Sequence, residues 1–334
     1  MPEHPGPENS RGGRRPRRAV AGAAGLSLAA ALALTACGTS PDSDELTVVA
    51  STNVWGSVAQ AVAGDHLEVS SIIAEPSADP HSFEASPSDA ARITSASLLV
   101  YNGGGYDQFV DDIIADDSGR ATVSAFELFE ATHGTTDDHD HDHDADHDEG
   151  GHDDHAGHDH GSVNEHVWYD LPTVDATAHA VADELARLDP DNADSYRANA
   201  DTFSAQLADV STVVDGIASA HGGDPVAQTE PVAQYLLDAA QLRDLTPPDF
   251  VSAIENETDP APAAIAATRA LLAENQVRVL VYNVQTQDRV TQDIRSTAET
   301  AGIPVVEITE TLPEGLDYIQ WQTRTVDALA SALE

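Results

Sequence analysis

The 334 residues contain a single cysteine, Cys37. One thiol cannot form an internal disulfide, so stability must come from a packed core, and a metal site in the exported chain must be built from His, Asp, Glu or carbonyl oxygens. Basic residues are also scarce: 15 Lys and Arg stand against 58 Asp and Glu, a formal net charge of −43. That balance excludes nucleic acid and anionic lipid heads as partners, because both are held by clustered cations, and it draws positive ions instead. No His-Glu-x-x-His or comparable hydrolytic motif occurs, which argues against a zinc-dependent enzyme. The apolar stretch at 19–34 falls short of the roughly 20 residues that cross a bilayer.

What is present begins with an export signal. Residues 11–18 carry Arg11, Arg14, Arg15, Arg17 and Arg18 and no acid. The apolar stretch follows, and small residues precede Cys37, the order of a secretory signal peptide at 1–37. Leu34-Thr35-Ala36-Cys37 resembles a bacterial lipobox, whose cysteine is acylated. The expected product is an exported protein held on the extracytoplasmic face of the membrane through Cys37, with 38–45 as a polar tether. The arginine pairs fit Sec and twin-arginine export equally.

Composition divides the remainder. An N-terminal lobe at 46–172 alternates strands at 46–50, 67–73 and 98–101 with helical patterns. It is interrupted at 133–161 by a run of His, Asp and Gly that holds His133, His139, His141, His143, His147, His152, His155, His158 and His160. A run with so little apolar surface cannot bury a core and is expected to be a disordered loop. The segment 173–222 reads as a helical linker, with stripes through Val174, Ala178, Val181, Leu185 and Leu188 and then Tyr196, Phe203, Leu207, Val210, Val214 and Ile217. Its second helix would extend on the order of 40 Å. A C-terminal lobe at 223–334 repeats the alternation, with strands at 226–229, 277–282 and 304–308. The expected fold is α/β, with two (βα) lobes of mostly parallel sheets joined by a long linking helix.

Four polar elements carry candidate chemistry: 79–84 with His81, 164–170 with His166, Thr229-Glu230, and Thr309-Glu310-Thr311. Three of them follow strands, where open α/β sheets bind ligands. Imidazole and carboxylate brought together suit a divalent transition metal. Glu84 and Asp170 are candidate partners that orient the imidazoles. His66, His179 and His221 read as solvated or capping residues, and Trp55, Trp168 and Trp321 as packing. The His/Asp run is a candidate auxiliary collector of weakly bound metal, which should fail as pH falls through about 6.5.

Asp79-Pro80-His81-Ser82-Phe83-Glu84 and His166-Val167-Trp168-Tyr169-Asp170, in that order and separated by a His-rich run, resemble the signatures of cluster A-I substrate-binding proteins, the zinc and manganese components of bacterial ABC importers. The resemblance implies metal ligands at His81, His166, Glu230 and Glu310. It also implies an importer permease as partner and a monomer that docks on it. Zinc-type relatives carry a histidine where Glu230 stands and manganese-type relatives a glutamate, so the ligand set alone leans toward manganese. The affinity order of divalent ions and the His-rich run favour Zn2+ as the cargo over Mn2+. A non-transporting metal buffer or surface adhesin is the competing expectation.

Overall fold

The computed structural model describes residues 46–76, 78, 80, 81, 83–115, 119–134 and 163–334. Cys37, the tether at 38–45 and His139 to His160 lie outside the described residues.

In the first lobe, β1 (Val48–Thr52) lies between β2 (Val69–Ile73) and β3 (Leu98–Tyr101), and β4 (Ala121–Ser124) pairs with β3. All three pairings are parallel. Both β1 and β3 are buried on both faces; β3 is a continuous apolar run, as parallel strands often are, whereas β1 ends in the buried polar pair Ser51 and Thr52. Successive side chains serve opposite faces. Val48, Ala50, Leu98 and Val100 enter the central core with α1 (Asn53–Ala63), α4 (Ala125–His133) and α5 (Leu171–Leu188). Val49, Leu99 and Tyr101 pack outward on Ile93 of α2 (Pro87–Ser95) and Val110 of α3 (Gln108–Ile114).

The second lobe repeats the plan. Strands β5 (Pro225–Gln228), β6 (Arg243–Asp244), β7 (Leu280–Asn283) and β8 (Val305–Ile308) form a parallel sheet in the order β6-β5-β7-β8. Ala227, Leu280 and Tyr282 face an outer core with α8 (Pro248–Glu255), α9 (Pro262–Ala273) and α10 (Arg289–Ala301). Gly302 ends α10 in the left-handed conformation, with φ 75°. Val226, Val279, Val281, Val306 and Ile308 face the central core with α7 (Gln234–Ala239) and α11 (Tyr318–Leu333). In each sheet the chain enters at an inner strand, winds to one edge and crosses back to the other side. Each lobe therefore has a strand-order reversal, the place where open α/β sheets bind ligands beyond the strands' carboxyl ends.

Helix α6 (Ala193–His221) links the lobes; its 29 residues correspond to about 44 Å. Its buried face is Tyr196, Ala200, Phe203, Leu207, Val210, Val214 and Ile217, the stripe that the sequence displays with Ala200 added. Helix α11 packs along α6 and returns to the first lobe. There Tyr318 N donates to Ser57 Oγ at 2.9 Å, and Asn53 and Leu312 exchange two hydrogen bonds of 2.9 Å. One apolar core runs through both lobes without a break.

Local structure departs from the sequence expectation in three places. Strands β4 and β6 and helices α4 and α8 add to the elements read from periodicity. Helix α5 starts at Leu171 and packs on α1 and α4, so it is part of the first lobe's wall as well as the path out of it. His133, assigned by composition to the low-complexity run, is the last residue of α4 and pairs with Asp170 at 3.1 Å. Among the described residues no helix is long and apolar enough to cross a membrane.

Candidate metal centre

The crevice between the lobes is built from loops that leave the strands' carboxyl ends. His81 lies between β2 and α2. The path onward is fixed by a capping box at α2, in which Ser86 Oγ accepts from Asp89 N at 3.3 Å and Ser86 N donates to Asp89 Oδ2 at 3.0 Å. His166 precedes the short 3-10 turn Val167–Tyr169, whose three side chains are buried in the central core. Glu230 follows β5, Asn283 ends β7, and Glu310 follows β8. Each lobe therefore delivers polar groups to the same crevice.

Three of the four expected ligands converge directly. His81 Nε2 is 3.3 Å from Glu310 Oε2, and His166 Nε2 is 4.0 Å from the same oxygen. The two imidazole rings are 5.7 Å apart, centre to centre. Glu230 stands one layer back. Its Oε2 accepts from Asn283 Nδ2 and from Thr286 Oγ1, both at 2.5 Å, and the same Asn283 amide donates to Glu310 Oε1 at 2.7 Å. Asn283 thus bridges two carboxylates that repel each other.

Two further carboxylates enter the crevice. Glu255, the last residue of α8, places Oε1 3.6 Å from His166 Nε2, and Glu165 Oε1 is 4.0 Å from His81 Nδ1. Donor atoms of His81, His166 and Glu255 all lie within 4.8 Å of one another, a spacing that fits a shared cation. Tyr106 OH approaches Glu310 Oε2 at 3.4 Å, and its ring stands edge-on to His81.

The outer shell differs from the expectation. Asn164, not a carboxylate, orients His166: its Oδ1 lies 2.6 Å from Nδ1 and accepts the backbone N–H at 3.0 Å. That contact places the ring proton on Nδ1 and leaves Nε2 as the donor facing the crevice. Asp170 is occupied elsewhere, capping α5 through Thr173 N at 3.1 Å and pairing with His133. Glu84 is exposed. His179 and His221 contact Ser204 and Asp224 away from the site, and Trp55, Trp168 and Trp321 are core residues.

Burial and crowding set the charge state. Burial raises Glu255 to about 9 against the lowering effect of His81, with Glu165, Glu230 and Glu310 adding repulsion. Burial, then the charge of Glu310, raises Glu230 to about 7 against the hydrogen bonds from Thr286 and Asn283. For His81 burial pulls downward, yet the hydrogen bond and charge of Glu310, joined by Glu255 and Glu165, outweigh it and raise the imidazole to about 10. At neutral pH the crevice therefore holds protons, which a cation would have to displace.

Residues 48–332 match the family described as zinc-uptake complex component A, periplasmic. The chain belongs to this family. A relative is the metal ABC transporter substrate-binding lipoprotein SloC of Streptococcus mutans, 24% identical over 277 residues, 82% of this chain and 84% of that one. Another is the manganese-binding lipoprotein MntA of Halalkalibacterium halodurans, 26% identical over 170 residues. That match covers 51% of this chain and 49% of the relative, about half its length. The periplasmic zinc-binding protein TroA of Treponema pallidum shares the fold, with a TM-score of 0.67 at 14% identity over 86% of this chain and 99% of that one. Members of the zinc-uptake family are solute-binding components of ABC importers rather than enzymes.

Sequence reasoning missed Glu255, Asn283 and the role of Asn164. Glu255 had a signal: Pro247-Pro248 followed by Phe250 and Ile254 at a spacing of four announces a short amphipathic helix that ends on Glu255.

Proposed function

We propose that this protein captures a divalent transition metal, Zn2+ in the first place, outside the cytoplasm and hands it to the permease of an ABC importer. A lipid on Cys37 would hold the protein at the membrane. The observation that carries the reading is the convergence of His81 and His166 from one lobe with Glu310 from the other inside a buried crevice. Two imidazoles and carboxylates match zinc's preference for four mixed N and O donors. The wealth of carboxylate oxygen around Glu310, Glu230 and Glu255 supports a second reading, Mn2+, which takes more oxygen ligands.

Titrating protein that lacks 133–161 with zinc and with manganese, with and without His81→Ala, tests this. The expected result is one tight zinc site that the substitution abolishes. If the deletion itself removes all tight binding, the crevice is not the capture site and the His-rich run is. Preference for manganese in the same titration would transfer the proposal to that ion.

A further inference from the structure

We infer that Glu255 is a metal ligand, delivered by helix α8 of the second lobe to the same ion as His81 and His166. The inference rests on the capture reading above and names a donor outside the set implied by the motifs. Among the described residues, the group of three whose donor atoms share a radius suited to one cation is His81, His166 and Glu255. Glu230 by contrast has its Oε2 engaged by two donors at 2.5 Å, which metal binding through that oxygen would have to displace. Glu255 Oε1 is buried and takes no hydrogen bond among the described residues. A carboxylate oxygen removed from water in that way is costly unless a cation meets it.

The position of the residue adds a second, independent argument. Glu255 closes α8, so its ionised form would sit at the negative end of the helix dipole, where an acid is disfavoured. The helix is held by other groups. Phe250 and Ile254 anchor the helix in the outer core, and Thr258 N and Asn256 N tie its last turn to Ala253 O and Ser252 O at 2.8 and 3.1 Å. The anchored end of the helix instead aims Glu255 at His166, 3.6 Å away across the lobe boundary. With Glu310, two imidazoles and two carboxylates give a donor set whose charge balances a divalent ion.

The test uses the full chain. Zinc affinity, read by competition with a chromophoric chelator, is expected to fall by about ten-fold or more in Glu255→Gln, the loss that follows removal of a group bound to a metal or holding its ligand. A smaller loss overturns the inference. Glu255→Cys loaded with less than one equivalent of Co2+ gives a direct readout. A thiolate at the ion adds a near-ultraviolet charge-transfer band that the parent, which also contains Cys37, does not show. Cobalt bound without that band overturns the inference as well. His81→Ala separates the two proposals: if it abolishes the tight site while both Glu255 variants behave as the parent, the capture reading stands and the Glu255 inference alone fails. If His81→Ala keeps the tight site, the capture reading fails first.

Discussion

Asn164 is the residue whose removal most directly tests how His166 is prepared for a metal. Its side chain makes three hydrogen bonds: Oδ1 accepts from His166 Nδ1 at 2.6 Å and from His166 N at 3.0 Å, and Nδ2 donates to Pro231 O of the second lobe at 2.8 Å. Asn164→Ala removes all three. At about 1 kcal/mol net for each, the metal-free protein should lose roughly 3 kcal/mol of stability, visible as a lower midpoint in urea with an unchanged slope. Affinity should drop separately, because the imidazole loses the acceptor that fixes its tautomer and orientation. Losses of this kind run to about 10- to 100-fold in metal affinity. Asn164→Asp divides the two effects. It retains the acceptor for Nδ1 and makes it anionic, so affinity is kept or improved, while the bond to Pro231 O is lost and stability still falls. Chelator competition on both variants, beside urea titrations, supplies the numbers. A folded Asn164→Ala variant that binds zinc within a factor of about two of the parent would refute the reasoning, because that is well below the smallest loss expected.

Asp107 gives a pH prediction. Burial raises its carboxyl to about 6 even though backbone N–H groups of Asn102 and Gly103 donate to it at 2.7 and 2.8 Å. The folded state therefore holds this proton more tightly than the unfolded chain, so its contribution favours folding at acid pH and is lost as pH rises from about 3.9 through 6, by up to about 3 kcal/mol. Unfolding free energies at the two ends of that window, compared with Asp107→Asn, should show a smaller pH slope in the variant. Gly104 has φ +67°, and an added Cβ would lie 2.5 Å from the Phe126 ring; Gly104→Ala should cost about 2–4 kcal/mol from left-handed strain and overpacking, read by thermal or urea unfolding. Asn53→Ala severs both bonds to Leu312 and should lower stability by about 2 kcal/mol in the same assay while leaving zinc affinity close to that of the parent.

The parallel strands and long helices were legible because their signals are strong and local. The run at 98–101 is apolar on both faces, and the α6 stripe from Tyr196 to Ile217 keeps helical spacing over its whole length. Shorter elements were not. Strand β6 is two residues long, and β4, Ala-Thr-Val-Ser, has a partly exposed first half that periodicity cannot distinguish from a loop. The site followed the same division. His81 and His166 stand in motifs, and Glu230 and Glu310 follow strands, so position along the chain suggests them. Glu255 is near the crevice only because the end of α8 meets His166 in space, and Asn283 bridges two carboxylates only because β7 lies between β5 and β8. Those are facts of tertiary packing that no local pattern encodes.

The unbroken core beneath the crevice has a consequence for how the molecule yields to stress. Side chains from both sheets, α1, α5, α6 and α11 belong to one apolar cluster, and the described residues of the two lobes form one compact unit. Two halves that share a hydrophobic interior cannot melt in sequence, since exposing either one strips the other of its packing. Heating should give a single calorimetric transition whose enthalpy scales with the whole body of the protein. If the crevice holds a metal as proposed, its release should need only small excursions of the segments around it, well below the energy of parting the lobes.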